Sequence, residues 1–425
     1  MTMLVPRPGM QAGPAHEAGA SPQGLDPVHT RPLDGITVVT LEHAIAAPFC
    51  TRQLADMGAR VIKVERPGSG DFARAYDERV KGMASHFVWS NRSKESLTLD
   101  VKHLEAQKVL AQLLEGADVL VQNLAPGAAA RLGLSFEALH DKHPGLIVCD
   151  ISGYGDDRES PGPYRDKKAY DLLIQSESGF LSITGSPDEP AKAGCSIADI
   201  AASMYAYSSI LSALIQRGKT GKGCRIDVSM LESMVEWMSY PLYYAYDGAT
   251  PPPRAGAAHA TIYPYGPFPA GDGKTVMLGL QHEREWGAFC KQVLRRPELA
   301  TDERFASNSR RVDNRQALRV MIDEVFGALS AEQLIARLDD AQIANARMND
   351  MHDVWQHPQL KARARWTEVG TPAGPIPALL PPGATEAFTP CMNPVPGLGQ
   401  HTEAILDSLG WSRTDIDILK REGAI

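Results

Sequence analysis

The sequence predicts an α/β protein: a Rossmann-like parallel sheet in a large domain, followed by a smaller α+β domain. Three observations predict it. Short runs rich in β-branched residues alternate with stretches of helical period from Leu33 to about residue 240, which is the order of strand and crossover helix. Those runs are apolar throughout instead of alternating, as strands buried on both faces are. A Pro/Gly-rich segment at 247–256 then interrupts the pattern, and a second domain is expected beyond it.

Taken in order, residues 1–31 are rich in Pro, Gly, Ala and His, with neither the apolar stretch of a signal peptide nor the arginines of a transit sequence, and are expected to form a disordered tail. Buried strands are expected at 35–42, 59–65, 118–122 and 145–150, with helices at 48–57, 105–115 and 136–142 between them. The longest helix is expected at 197–216, with Gly218 just past its end as a C-cap; a strand at 224–229 and a helix to about residue 240 follow. These elements make a large domain over 32–240, joined by a linker at 241–256 to a small domain over 257–345. The small domain takes a strand at 274–280 and helices at 283–294, 315–326 and 331–339. The chain then returns over 346–425, through a Pro/Gly-dense stretch at 371–399, to helix after His401 and the rest of the large domain. There is no internal repeat.

Composition narrows the function classes. The 425 residues are 43% apolar and 22% charged, ordinary for a globular protein, and no uninterrupted apolar run reaches the length of a membrane span. A formal net charge of −8 argues against a general nucleic-acid surface, so an anionic ligand must be held by a local cluster of Lys and Arg. Six dispersed cysteines (Cys50, Cys149, Cys195, Cys224, Cys290 and Cys391) lack the spacing of a zinc site or the density of a disulfide scaffold, and read as reduced thiols of a cytoplasmic protein.

Generic motifs leave the chemistry open. Gly218–Gly223 suggests a phosphate loop, but the glycine required five residues earlier is Ala213, and a helix precedes it instead of a strand. Gly68-Ser-Gly70 lacks the third glycine of a dinucleotide fingerprint. His282-Glu283 has no second histidine at metalloprotease spacing, and no Gly-x-Ser-x-Gly elbow exists. No metal site and no tightly bound cofactor are expected.

Ordered blocks of sequence carry more. Pro32–His43, Ala46–Pro48 and Gly58–Asp71 resemble the start of family III CoA-transferases, the group of formyl-CoA and carnitine CoA-transferases. The resemblance continues through Leu97–Lys102, Ala117–Asn123, Pro126-Gly127 with Arg131–Gly133, Pro161–Pro163 with Tyr170-Asp171, Ile197–Asp199, Thr220–Gly223 and Leu398–Thr402. It covers nearly everything after residue 31. Each block is weak alone; their order and spacing are specific. The resemblance implies interlocked homodimers, coenzyme A thioesters as substrates and an aspartate nucleophile, which falls on Asp199.

Local chemistry agrees with that assignment. Ser196 is placed to cap the helix with Asp199 at its third position, where a helix N-terminus favours a negative side chain and keeps it ionised at neutral pH. An ionised carboxylate attacks a thioester, giving an anhydride and then an aspartyl-CoA thioester. Spacing alone reads Asp199 as a capping residue, and only the blocks around it make it a nucleophile. Cys195 is a competing nucleophile near the same helix start, without a His partner close in sequence.

Carried over block by block, the CoA contacts fall on His43, Ile45, Ala46, Arg66, Leu99, Lys102, Asn123, Leu124, Arg131 and Lys168. Diphosphate and ribose phosphate call for such Arg and Lys groups; without the resemblance, Arg66, Lys102 and Arg131 read as solvated surface charges. The glycine-rich lid of formyl-CoA transferases is replaced by Arg254–Gly266, which keeps one glycine before His259 and puts oxalate or formate chemistry in doubt. Arg254 or His259 is a candidate for the distal carboxylate of a dicarboxylic acid, with Tyr170 a third substrate candidate.

The whole-length pattern looks most like bacterial succinyl-CoA-dependent transferases acting on itaconate, mesaconate, malate or citramalate. α-Methylacyl-CoA racemases share the superfamily and use a His base where this chain has Tyr170, whose ordinary pKa near 10 suits that role poorly. A CoA-binding protein without catalysis is a third reading, disfavoured by the presence of Asp199.

Overall fold

The computed structural model describes residues 31–157, 159–383 and 385–425; the expected N-terminal tail, apart from Arg31, lies outside the described residues. Six strands form one parallel sheet: β1 (Thr37–Leu41), β2 (Arg60–Glu65), β3 (Lys94–Thr98), β4 (Val119–Gln122), β5 (Ile147–Ser152) and β6 (Arg225–Ser229), in the order β3-β2-β1-β4-β5-β6. The order reverses between β1 and β4, so a crevice opens beyond their carboxyl ends, at His43 and Asn123.

Alternate strand residues feed two cores. Val38, Val61, Val119, Ile147 and Cys149 pack under the Ala46–Asp56 helix, the Ile197–Thr220 helix and Met234. Val39, Ile62, Leu97, Leu120 and Val148 pack under the Leu104–Glu115 helix and the last two helices, Thr402–Ser408 and Arg413–Arg421. The C-terminal segment also closes the open edge of β3: Thr402 Oγ1 accepts the Thr98 N–H at 3.0 Å, and His401 donates its N–H to Ser96 O at 3.0 Å. A separate core gathers Tyr263, Phe268, Trp286, Phe289, Phe326 and Leu334 around the antiparallel strands β7 (Tyr265–Pro269), β8 (Thr275–Gly279) and β9 (Ala344–Arg347). β10 (Trp366–Val369) pairs with β11 (Ile376–Leu379).

β3, β7, β9, β10 and β11 are not among the expected strands, and three expected elements take other bounds or another form. The longest helix runs to Thr220, with Gly218 inside it; its cap is Gly221, at a left-handed φ of 71°, whose N–H reaches Arg217 O at 2.7 Å. The helix expected at 283–294 is α-helical over Glu283–Ala288 and then widens to a π-turn over Phe289–Val293. The Ser239–Tyr244 helix occupies the first part of the expected linker. By length and composition the Ile197–Thr220 helix is long and apolar enough to cross a membrane, but one face of it is packed against the sheet and the Ala46–Asp56 helix.

Candidate active site

The site grows from the carboxyl end of β1. Glu42 is fully buried there; Lys94 Nζ donates to its Oε1 at 2.6 Å, Lys63 Nζ to the same oxygen at 3.3 Å, and Thr51 Oγ1 to Oε2 at 2.7 Å. Burial alone would raise the Glu42 pKa, but the two ammonium groups hold it below the ordinary value. Lys94 is itself pushed down to about 8 by burial, which Glu42 only partly offsets. Lys63 bridges onward to Asp71 at 2.7 Å. Asp71, buried but faced by Lys63, stays well below the carboxylate range.

This charged base fixes the next turn. Asn123 grips the His43 peptide from both sides, its Oδ1 accepting the His43 N–H and its Nδ2 donating to His43 O, each at 2.9 Å. Asp71 Oδ1 accepts the Ala44 N–H at 3.1 Å, and Ala44 takes a left-handed φ of 60°. The Ala46–Asp56 helix therefore starts with its first N–H groups uncapped by any side chain. Ser203 joins this start to the long helix, its hydroxyl facing both Ala46 O and Asp199 O.

Asp199 occupies the third position of the Ile197–Thr220 helix, as the sequence predicts, but Ser196 makes no capping bond. Asp171, the first residue of the Asp171–Glu177 helix, takes its place: Oδ1 accepts the Ala198 N–H at 2.8 Å and the Asp199 N–H at 3.5 Å. The consequence for charge is opposite to expectation. Burial, reinforced by the negative charge of Asp171, raises the Asp199 carboxyl to about 7, so the helix start does not keep it fully ionised at neutral pH.

A row of rings extends from His43. His43 stacks on Phe72 at 5.2 Å between centroids, Phe72 meets Tyr76 at 5.8 Å, and Tyr76 meets His86 edge-on at 5.5 Å. Tyr76 is raised above its ordinary pKa by burial and then by the charges of Asp71 and Asp199. Tyr76, Phe72, Asp71 and Asp171 received no role from sequence. Asp71 and Asp171 lie inside the blocks that carry the family resemblance, which was the available signal; Tyr76 and Phe72 stand outside any motif.

The structure brings several predicted residues together and separates others. His43, Ile45, Ala46 and Asn123 share the β1/β4 crevice. Ile45, Ala46 and Leu99 are buried, so a ligand would meet them largely through backbone. Leu124, half-buried, follows Asn123. Arg66 follows β2, Lys102 follows β3, Arg131 ends the Ala128–Arg131 turn after β4, and Lys168 precedes the Asp171–Glu177 helix. All four are exposed and in no ion pair among the described residues. A cleft of about 660 Å³ is bordered by Lys102, His103, Trp411 and Glu422, and a narrower crevice by Leu124, Gly127, Ala130 and Arg165; Asp199 lines neither. Tyr170 is exposed beside Asp171. Arg254 donates Nε and Nη2 to Ser186 O and Pro187 O, both at 2.9 Å, so most of its guanidinium is committed to the loop leading toward Asp199. His259 is stacked on Tyr265, accepts the Thr261 N–H at 3.2 Å, and is lowered in pKa by burial. No cluster of potential metal ligands occurs among the described residues.

Comparison with known proteins points one way. The model of CoA-transferase family III matches residues 33–402. The chain is 32% identical over 382 residues to the succinyl-CoA:glutarate CoA-transferase of Homo sapiens, covering 88% of this chain and 85% of that protein. It is 33% identical over 392 residues to the succinyl-CoA:mesaconate CoA-transferase of Haloarcula marismortui, covering 89% and 96%. Among solved structures it is similar to a CAIB/BAIF family protein from Brucella suis, with a TM-score of 0.78 at 34% identity over 89% of this chain and 100% of that one.

Proposed function

The chain belongs to CoA-transferase family III and is an enzyme that transfers coenzyme A; from that premise we propose that it moves CoA from succinyl-CoA to a second dicarboxylate of four or five carbons, with Asp199 as nucleophile. The observation that carries this reading is the Asp199 carboxyl itself. It stands at a helix start beside the β1/β4 crevice, without a hydrogen-bond partner among the described residues and raised to a pKa near neutrality. A basic, unpaired carboxylate is a better nucleophile than a solvated one.

In the proposed sequence, the Asp199 carboxylate attacks the thioester carbonyl and expels CoA thiolate, leaving an anhydride between Asp199 and the succinyl group. The thiolate attacks the Asp199 carbonyl, forming an aspartyl-CoA thioester and releasing succinate. The acceptor carboxylate then attacks that thioester, and the thiolate released takes the acyl group from the second anhydride. Asp199 is regenerated, and water is not consumed. Arg66, Lys102, Arg131 and Lys168 are assigned to the phosphates of CoA, and the turn of His43, Ile45 and Ala46, with Leu99, Asn123 and Leu124, to its remaining length. Tyr76 and Tyr170 flank the acyl end, where Arg254 through its remaining Nη1, or His259, meets the distal carboxylate.

Glutarate and mesaconate are acceptors in the names of similar enzymes; itaconate, citramalate and malate share their two carboxylates and belong in the same panel. The large domain is assigned to 32–240 with 346–425 and the small one to 257–345, supported by the separate core around β7–β9. An interlocked homodimer fits the exposed Trp237, Tyr240, Tyr243 and Tyr246. The test is to incubate purified enzyme with succinyl-CoA and each acid, follow new thioesters by mass spectrometry, and map the covalent adduct. Transfer to dicarboxylates with an adduct on Asp199 is expected; proton exchange at carbon 2 without an adduct would sink the reading.

A further inference from the structure

Two carboxylates meet at the start of the Ile197–Thr220 helix, and the proposed reaction uses one. Asp171 Oδ1 takes the Ala198 and Asp199 N–H groups; its Oδ2 accepts from Gln175 Nε2 at 2.7 Å. Gln175 is fully buried, and its Oε1 accepts the Ala193 N–H at 2.9 Å. Both ends of the 193–198 segment are thereby tied to one short helix, and the residue that sequence nominates as cap, Ser196, is idle.

We propose that Asp171 is the positioning residue of the site: it caps the helix start that carries Asp199 and sets its negative charge beside that carboxylate. The inference rests on Asp199 being the nucleophile. Asp171 does not touch the thioester; it acts through its neighbour. Free N–H groups at a helix start would stabilise a nearby anion, and Asp171 consumes them. The Asp199 side chain is left without a hydrogen-bond partner among the described residues and next to a like charge, both of which make its anion more basic. Among the described residues, the other ionisable groups at this end do not supply a compensating cation. Tyr76 is raised above its ordinary pKa, Tyr170 is an exposed phenol, Cys195 is an exposed thiol in the approaching loop, and the packed Ala46–Asp56 helix brings Ala46 and Ala47.

Two substitutions separate charge from architecture. Asp171→Asn keeps an oxygen acceptor for the Ala198 N–H, removes the charge and loses the Gln175 contact; Gln175→Met keeps the charge and loses the tie. Where Asn fails to fold, Asp171→Ser offers the same N–H groups a neutral hydroxyl. The readouts are the pH dependence of kcat/KM and of adduct formation at residue 199, with thermal melts to confirm folding. The neutral variants are expected to move the acid-side midpoint down by about one pH unit, and to lose about tenfold in kcat/KM above it, because a less basic carboxylate attacks more slowly. Gln175→Met is expected to lower kcat with the midpoint in place. An unshifted midpoint in Asp171→Asn, or an equal shift in Gln175→Met, overturns the inference while an adduct on Asp199 in the wild type leaves the nucleophile intact. No adduct on wild-type Asp199 overturns both.

Discussion

Asp171 and Asp199 lie 28 residues apart in sequence, yet one carboxylate oxygen of Asp171 accepts the backbone N–H of Asp199 and of the residue before it. A helix start that ordinarily comforts an anion is thus already filled when Asp199 arrives. The charge of Asp199 becomes a cost to the fold.

The Asp199 carboxyl is raised from 3.8 to about 7, so the folded state holds its proton more tightly than the unfolded chain does. Stability from that difference is fully present below about pH 4 and is lost as pH rises through about 7. Asp199→Asn should therefore be inactive and more stable than the wild type at pH 8, by about 2 kcal/mol once partial solvent contact is allowed for, with the gain shrinking toward pH 4. Thermal melts across that range decide it. In the wild type, kcat/KM should rise with the Asp199 anion through about pH 7; a flat profile between pH 5 and 8 would contradict this.

Beneath the site, Glu42 neutralises two buried lysines, Lys63 and Lys94. Removing it leaves Lys94 with only neutral partners, the Pro48 carbonyl and Asn91. Glu42→Gln is expected to destabilise by about 3–5 kcal/mol, and Glu42→Gln with Lys94→Met to recover part of the loss because the stranded charge is gone. Urea unfolding of the single and double variants measures the coupling. Additive losses would mean the pair is not the unit.

That buried pair also explains what the sequence could and could not reveal. The strands β1, β2, β4 and β5 are legible because their apolar residues carry them. β3 is not, since Lys94 and Ser96 point into the protein and are satisfied by Glu42 and Glu65, partners 52 and 31 residues away. The same distance hides the cap of the long helix: Ser196 has the right spacing, and Asp171 has the right position. Spacing reads local hydrogen bonds and is blind to those supplied by another element. Asp199 was legible only through ordered blocks, and the aromatic rings of Phe72 and Tyr76 through nothing at all, as exposed aromatics after a glycine-rich turn carry no period.

Asn123 makes a pair of hydrogen bonds that fix the turn after β1. Asn123→Ala should free that turn and raise KM for the acyl-CoA about tenfold, the worth of one to two hydrogen bonds in a half-buried site, with a smaller fall in kcat. Asn123→Asp keeps the acceptor for His43 N–H and loses the donor, and should fall between. Steady-state kinetics with succinyl-CoA decide it; equal kcat losses with unchanged KM would place Asn123 in the chemistry instead.

The four exposed cations make the last prediction quantitative. Arg66, Lys102 and Arg131 follow β2, β3 and β4, Lys168 precedes the Asp171–Glu177 helix, and all four are exposed without ion-pair partners among the described residues, so nothing in the fold needs their charge. Substituting each with Ala should leave the melting temperature within about 1 °C, since surface charges away from partners contribute little to stability. If they hold phosphates in ground and transition states alike, each loss raises KM for the acyl-CoA with kcat unchanged, a signature of uniform binding. The loss should also shrink in 0.5 M salt, where screening reaches about 4 Å. Raised KM in only one of the four assigns the phosphates to that residue and returns the others to the solvated surface. A fall in kcat for Lys168, the cation nearest in sequence to Asp171, would instead bring its charge to Asp171 and Asp199, where a cation lowers the proton affinity that Asp171 raises.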